Sequence, residues 1–117
     1  GTNDRERSSK FYEALCGELG VGRMMAHEHF LAWGKEGGGA GIGVTRPFDG
    51  NAATVGNGVM VALEAKDRDQ VQRLYDLALA NGGTDEGAPG DRGGGFYAGY
   101  FRDPDGNKLN AFVMGAE

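Results

Sequence analysis

Cysteine is almost missing from this chain: Cys16 stands alone among 117 residues. That excludes an intrachain disulfide and leaves the thiol to serve as a small buried hydrophobe. Proline occurs three times and tryptophan once. No apolar run approaches the roughly 20 residues of a membrane span, and no signal-peptide hydrophobic stretch is visible. A cytoplasmic location without a membrane partner is therefore expected. Positive charge is in deficit, 12 lysines and arginines against 17 aspartates and glutamates, for a net charge of -5 and a pI near 5.0. That balance repels phosphate backbones and speaks against a nucleic-acid partner.

Glycine is the excess, at 23 residues, about three times the usual share. Apolar runs alternate with the glycine clusters, so glycine marks hairpins and strand bends rather than low complexity. At 12.3 kDa the chain forms one domain, large enough to bury roughly two thirds of its unfolded surface.

A faint internal repeat organises the rest. Asp4-Arg5-Glu6, Lys10-Phe11-Tyr12-Glu13 and Gly20 recur 63 residues later as Asp67-Arg68-Asp69, Arg73-Leu74-Tyr75-Asp76 and Gly83. The spacing predicts a helix from Arg5 to Gly17, capped by Asp4, with Ser8, Phe11, Tyr12, Leu15 and Leu19 as its buried stripe. A second helix is expected from Arg68 to Ala80, with Asp67 and Gln70 as a capping-box pair and Val71, Leu74, Tyr75 and Ala78 inward. Strands are expected near Gly22–His27, Phe30–Gly34, Ala40–Thr45 and Val59–Ala65. A flexible loop should span Asp85 to Gly95. Phe96–Arg102 and Lys108–Val113 form a hairpin around the type I turn Asp103-Pro104-Asp105-Gly106. The strand before the second helix has no counterpart before the first, so a strand of about seven residues is expected upstream of Gly1.

The β-α-β-β-β plan, with Asn3–Ser8 plus Phe11-Tyr12, Arg46-Pro47-Phe48-Asp49-Gly50 and Tyr100–Lys108, resembles the vicinal oxygen chelate superfamily of glyoxalase I, extradiol dioxygenases and bleomycin-resistance proteins. The resemblance implies an α+β fold in which two repeated βαβββ modules curl into a mixed-sheet cup, the first strand truncated. One domain over residues 1–117 would comprise module one at 1–50, a linker at 51–57 and module two at 58–117. It also implies a homodimer. Metal-dependent members hold a divalent cation with His and Glu side chains, which suit an ion that stabilises developing oxyanions. Here Met60 and Asn110 stand where related small proteins offer His and Glu. The fold carries across, but the metal triad does not, unless the upstream strand supplies ligands.

The resemblance points to a small-molecule ligand in the cup. Register places Tyr100, Asn110, Ala98 and Phe112 on one face of the terminal hairpin, as cup lining or as core. Met60, Ala62 and Glu64 alternate with Val59, Val61 and Leu63, so Met60 should line the cup while the valines pack on helices. Trp33 is either core or a stacking surface. His27 and His29 share a face if extended, and His29 is the polar candidate there. Arg92, on a mobile lip with Gly93-Gly94-Gly95, is placed to reach an anionic group. Asp103 and Asp105 belong to their turn. The expected ligand set is Trp33, Met60, Tyr100, Asn110, Phe112, His29 and Arg92, with no metal or cofactor. The rival is a divalent-metal lyase or isomerase of the lactoylglutathione lyase type, or a dioxygenase, which needs ligands from the upstream strand and recruitment of Glu64 or Asn110; Glu64 is otherwise a rim charge or a base. The acidic surface favours a cationic compound.

Overall fold

The computed structural model describes residues 1–115. Helix α1 (Arg5–Glu18) opens where the Asp4 carboxylate accepts the Arg7 N–H at 3.1 Å, satisfying one of the free first-turn donors. Helix α2 (Arg68–Ala80) opens the same way, Asp67 accepting the Gln70 N–H at 2.8 Å. The reciprocal bond lies one residue earlier than a standard capping box: Lys66 N–H donates to Gln70 Oε1 at 2.9 Å. The Gln70 amide then donates to the Glu18 carbonyl at 3.0 Å, joining the two helix ends.

Among the described residues seven strands form two curled sheets that stay open. β1 (Gly22–His27), β2 (Phe30–Gly34) and β3 (Ile42–Thr45) make an antiparallel sheet in that order. β4 (Val61–Glu64), β5 (Thr84–Asp91), β6 (Phe96–Arg102) and β7 (Lys108–Met114) make the second, ordered β4-β7-β6-β5, with β4 parallel to β7. Both helices cover one side of these sheets. Phe11, Tyr12 and Leu15 of α1 and Val71, Leu74, Tyr75 and Ala78 of α2 pack with Leu31, Trp33, Val44, Phe101, Leu109 and Ala111 in one core. Close packing at the end of α2 requires glycine: a Cβ on Gly83 would lie 2.6 Å from the Arg102 carbonyl oxygen and 2.7 Å from that of Ala78.

Three expectations need correction. The segment expected as a flexible loop is mostly strand: Thr84–Asp91 pairs with β6 across two register shifts, and only residues 92–95 turn. The bulges accommodate glycines and Pro89, which no regular ladder would hold. Val59 and Val61 do not pack on a helix but are 68% and 41% exposed. The ordered strands there begin at Ile42 and Val61 rather than at residues 40 and 59. Among the described residues β3 and β4 are edge strands and border an apolar cavity of about 490 Å³, lined by Leu15, Cys16, Ile42, Val61 and Leu63 among others. No helix is long and apolar enough to cross a membrane among the described residues.

Candidate functional site

Alternation decides which side chains face away from the helices. In the hairpin, Tyr100 pairs with Asn110, Ala98 with Phe112, and Arg102 with Lys108, as register arithmetic required. The neighbouring residues Phe101, Leu109 and Ala111 are fully buried under the helices, so the Tyr100 set lines the opposite, curved face. β4 adds Ala62 beside Asn110 and Glu64 beside Phe112. Met60, one residue before β4, continues that alternation and is 40% exposed. Phe96 stacks on Phe112 with ring centroids 5.7 Å apart.

Two cations bracket the aromatic centre of this face. The Arg92 guanidinium lies 5.2 Å from the Tyr100 ring centroid and the Lys108 ammonium 5.5 Å from it, the geometry of cation–π attraction. Arg92 is not on a mobile lip. Its guanidinium donates to the Ala88 carbonyl at 2.6 Å and to the Ala98 carbonyl at 3.0 and 3.3 Å, which fixes it against β5 and β6.

Asn110 is the anomaly of the face. It is 1% exposed, yet its Oδ1 is buried without a hydrogen-bond donor. Leaving such an acceptor unpaired costs about 1–3 kcal/mol, so native structures rarely retain one without use for it.

Two expected site residues lie elsewhere. Trp33 alternates onto the helix side of β2, is fully buried and packs against Tyr12 at 5.9 Å. Its indole N–H donates to Glu13 at 2.7 Å; it is a core residue, because its strand partner Ile42 and its neighbour Leu31 face the same helix. His29 sits at the β1–β2 turn, 3.6 Å from Glu28, and lines a different, polar cavity with Arg5 and Arg46. The two candidates from the first half thus separate from the five of the second: Arg92, just after β5, and Asn110 and Phe112 of β7 lie beside Tyr100, and Met60 follows on the same face by alternation.

A divalent ion needs three hard or borderline donors on one centre. The curved face offers a thioether at Met60, an amide at Asn110 and one carboxylate at Glu64. No group of three His, Cys, Asp or Glu that would hold a metal exists among the described residues. These residues do not make a site for a divalent cation.

The comparisons with known proteins follow the architecture. The family model for the Glyoxalase/Bleomycin resistance protein/Dioxygenase superfamily matches residues 1–111. A glyoxalase/bleomycin resistance protein from Albidiferax ferrireducens T118 is 40% identical, with 97% of this chain and 93% of that one covered at a TM-score of 0.88. A glyoxalase/bleomycin resistance protein/dioxygenase family enzyme from Burkholderia phytofirmans PsJN is 20% identical, covered over 97% of this chain and 92% of that one at a TM-score of 0.77. At that identity the likeness is one of fold alone. No curated protein matches the chain.

Proposed function

The chain belongs to the glyoxalase/bleomycin resistance protein/dioxygenase superfamily, and from that premise we propose that it binds a small organic molecule on the curved face of its second sheet without a His/Glu metal triad. The observation that carries the reading is the orphaned Oδ1 of Asn110. A ligand N–H or O–H that displaces the side chains covering Asn110 supplies the missing donor, in surroundings where a hydrogen bond is worth more than in water. Phe112, Phe96, Tyr100 and Met60 give that ligand an apolar or aromatic wall, the usual composition of a small-molecule site with a few polar groups fixing orientation. Local charge sets the preference more strongly than the net charge of -5. Lys108 and Arg92 flank Tyr100, so an aromatic carboxylate suits this face better than the cationic compound that overall acidity favours.

The same reading includes a cytoplasmic homodimer. The apolar residues left uncovered at β1 and β4, Met24, Met25, Val59, Met60 and Val61, support an association surface.

Isothermal titration with a panel of small aromatic carboxylates bearing an amide or hydroxyl donor tests the proposal, with Asn110→Leu alongside. The expected result is saturable binding by wild type that falls at least tenfold in the variant. Its unfolding midpoint in urea should stay level or rise, because the orphaned acceptor is gone. Absence of binding across the panel, or equal affinity in the variant, overturns it.

A further inference from the structure

We propose that a second site, at the seam between the start of α1 and the segment following β3, binds the phosphoryl group of a small phosphate monoester. The site is a cavity of about 200 Å³ lined by Thr2, Asn3, Arg5, His29, Arg46 and residues 50–52. That is room for several waters at about 30 Å³ each, and so for one oxyanion head group.

The chain has eight arginines. Arg7, Arg23, Arg68, Arg73 and Arg102 each meet a carboxylate, and Arg92 is held by carbonyls. Among the described residues only the guanidinium groups of Arg5 and Arg46 have no hydrogen-bond or ion-pair partner. Arg5 Nε is moreover buried without an acceptor. These two line the same cavity, and His29 adds an imidazole from a third element. Among the described residues no acidic side chain lines it. Three carboxylates of neighbouring segments have partners of their own: Asp4 accepts the Arg7 amide, Asp49 accepts the Asn51 amide, and Glu28 lies 3.6 Å from His29. In a chain of net charge -5, convergence of its two unpaired guanidinium groups marks a place built for an anion.

The walls are rigid. Asn3 donates to the Ala53 carbonyl at 3.0 Å and accepts the Ala53 N–H at 2.6 Å, clamping the segment after β3 over the start of α1. Arg46 N–H donates to the His29 carbonyl at 3.0 Å, and Gly50 N–H to that of Pro47 at 2.9 Å. Geometry also selects the anion. A carboxylate is planar and suits one guanidinium fork. Three cationic or donor groups from three elements suit a tetrahedral phosphoryl group, whose oxygens point in different directions.

The test titrates inorganic phosphate and glycerol 3-phosphate at low ionic strength, reading backbone amide shifts of Asn51 and Ala52 and the rise in Tm. Saturable binding with a Kd of millimolar or below is expected, weakened at least tenfold by Arg46→Gln and by Arg5→Gln. Arg23→Gln and Asn110→Leu should leave it unchanged, which separates this site from the curved face. Arg46 is exposed, so its variant folds as the parent does. No saturable shift, equal affinity in Arg46→Gln, or malonate binding as tightly as glycerol 3-phosphate overturns the proposal.

Discussion

Tyr12 and Asp103 join residues 91 apart through one buried bond, the phenol O–H donating to Asp103 Oδ2 at 2.7 Å. Asp103 also accepts the amides of Asp105 and Asn107 and the Asn107 side chain, all at 2.9 Å, so the carboxylate closes its own turn and anchors α1 to it. A hydrogen bond to a charged acceptor is worth about 1.5–3 kcal/mol, and Tyr12→Phe should lower unfolding stability by about that amount in urea titrations. The same phenol and the Cys16 thiol give the fold a weakness in alkali. Burial, with Asp103 adding to it, pushes Tyr12 well above the usual phenol range, and burial beside Glu13 pushes Cys16 up to about 11. Both groups keep their protons longer folded than unfolded. Their contribution is therefore complete only below about pH 8, under the ordinary cysteine and tyrosine values, and is lost as pH rises, because the unfolded chain then binds fewer protons. Urea midpoints should fall between pH 8 and 10.5, and less steeply in Cys16→Ala. At this scale the sequence was only partly readable. The shared face of Tyr100, Asn110 and Phe112 follows from alternation, but no pattern links Arg5, His29 and Arg46, which only tertiary folding brings to one cavity.

The helices were legible because their ends carry chemistry: Asp67 at the N-cap and Asn81-Gly82-Gly83 at the stop bound α2 where sequence placed it, and α1 runs one residue past its expected end at Gly17. β5 was not, since Thr84-Asp85-Glu86-Gly87-Ala88-Pro89-Gly90-Asp91 has no apolar alternation to read. It is strand because its neighbours hold it. Tyr75 donates to Asp85 at 2.8 Å, Arg102 to Glu86 at 3.1 Å, and Arg92 to the Ala88 carbonyl. Removing the last of these should show at the element and nowhere else. Arg92→Ala is expected to raise amide hydrogen exchange at least tenfold over residues 88–95 while α1 and α2 keep their protection. An unchanged exchange profile would mean that the bulged ladder alone holds β5. Gly83→Ala tests the other end of this strand. Its Cβ meets two carbonyl oxygens and Phe11 within 3 Å, so a loss of about 1–3 kcal/mol is expected from overpacking.

Across the molecule the internal repeat is visible in hydrogen bonds as well as residues. Ala65 N–H donates to the Phe112 carbonyl where β4 leaves β7, and Thr2 N–H donates to the Thr45 carbonyl beside β3. Thr2 and Ala65 stand 63 residues apart, the spacing of the two N-caps Asp4 and Asp67. Among the described residues β4 lies along one edge of β7, and the apolar cavity borders β3 and β4, with Val59 and Val61 uncovered beside it. Uncovered apolar residues invite association with another chain, and charged side chains oppose it. Val61 is 41% exposed, so lysine there reaches solvent without opening the core. In sedimentation velocity, wild type is expected to associate as concentration rises through the micromolar range, and Val61→Lys to remain a monomer. A control at Leu79, exposed on α2 far in sequence from β3 and β4, should behave as wild type when changed to lysine. Equal association by all three proteins would remove the β3–β4 groove as the contact and shift attention to the exposed Met24 and Met25 of β1.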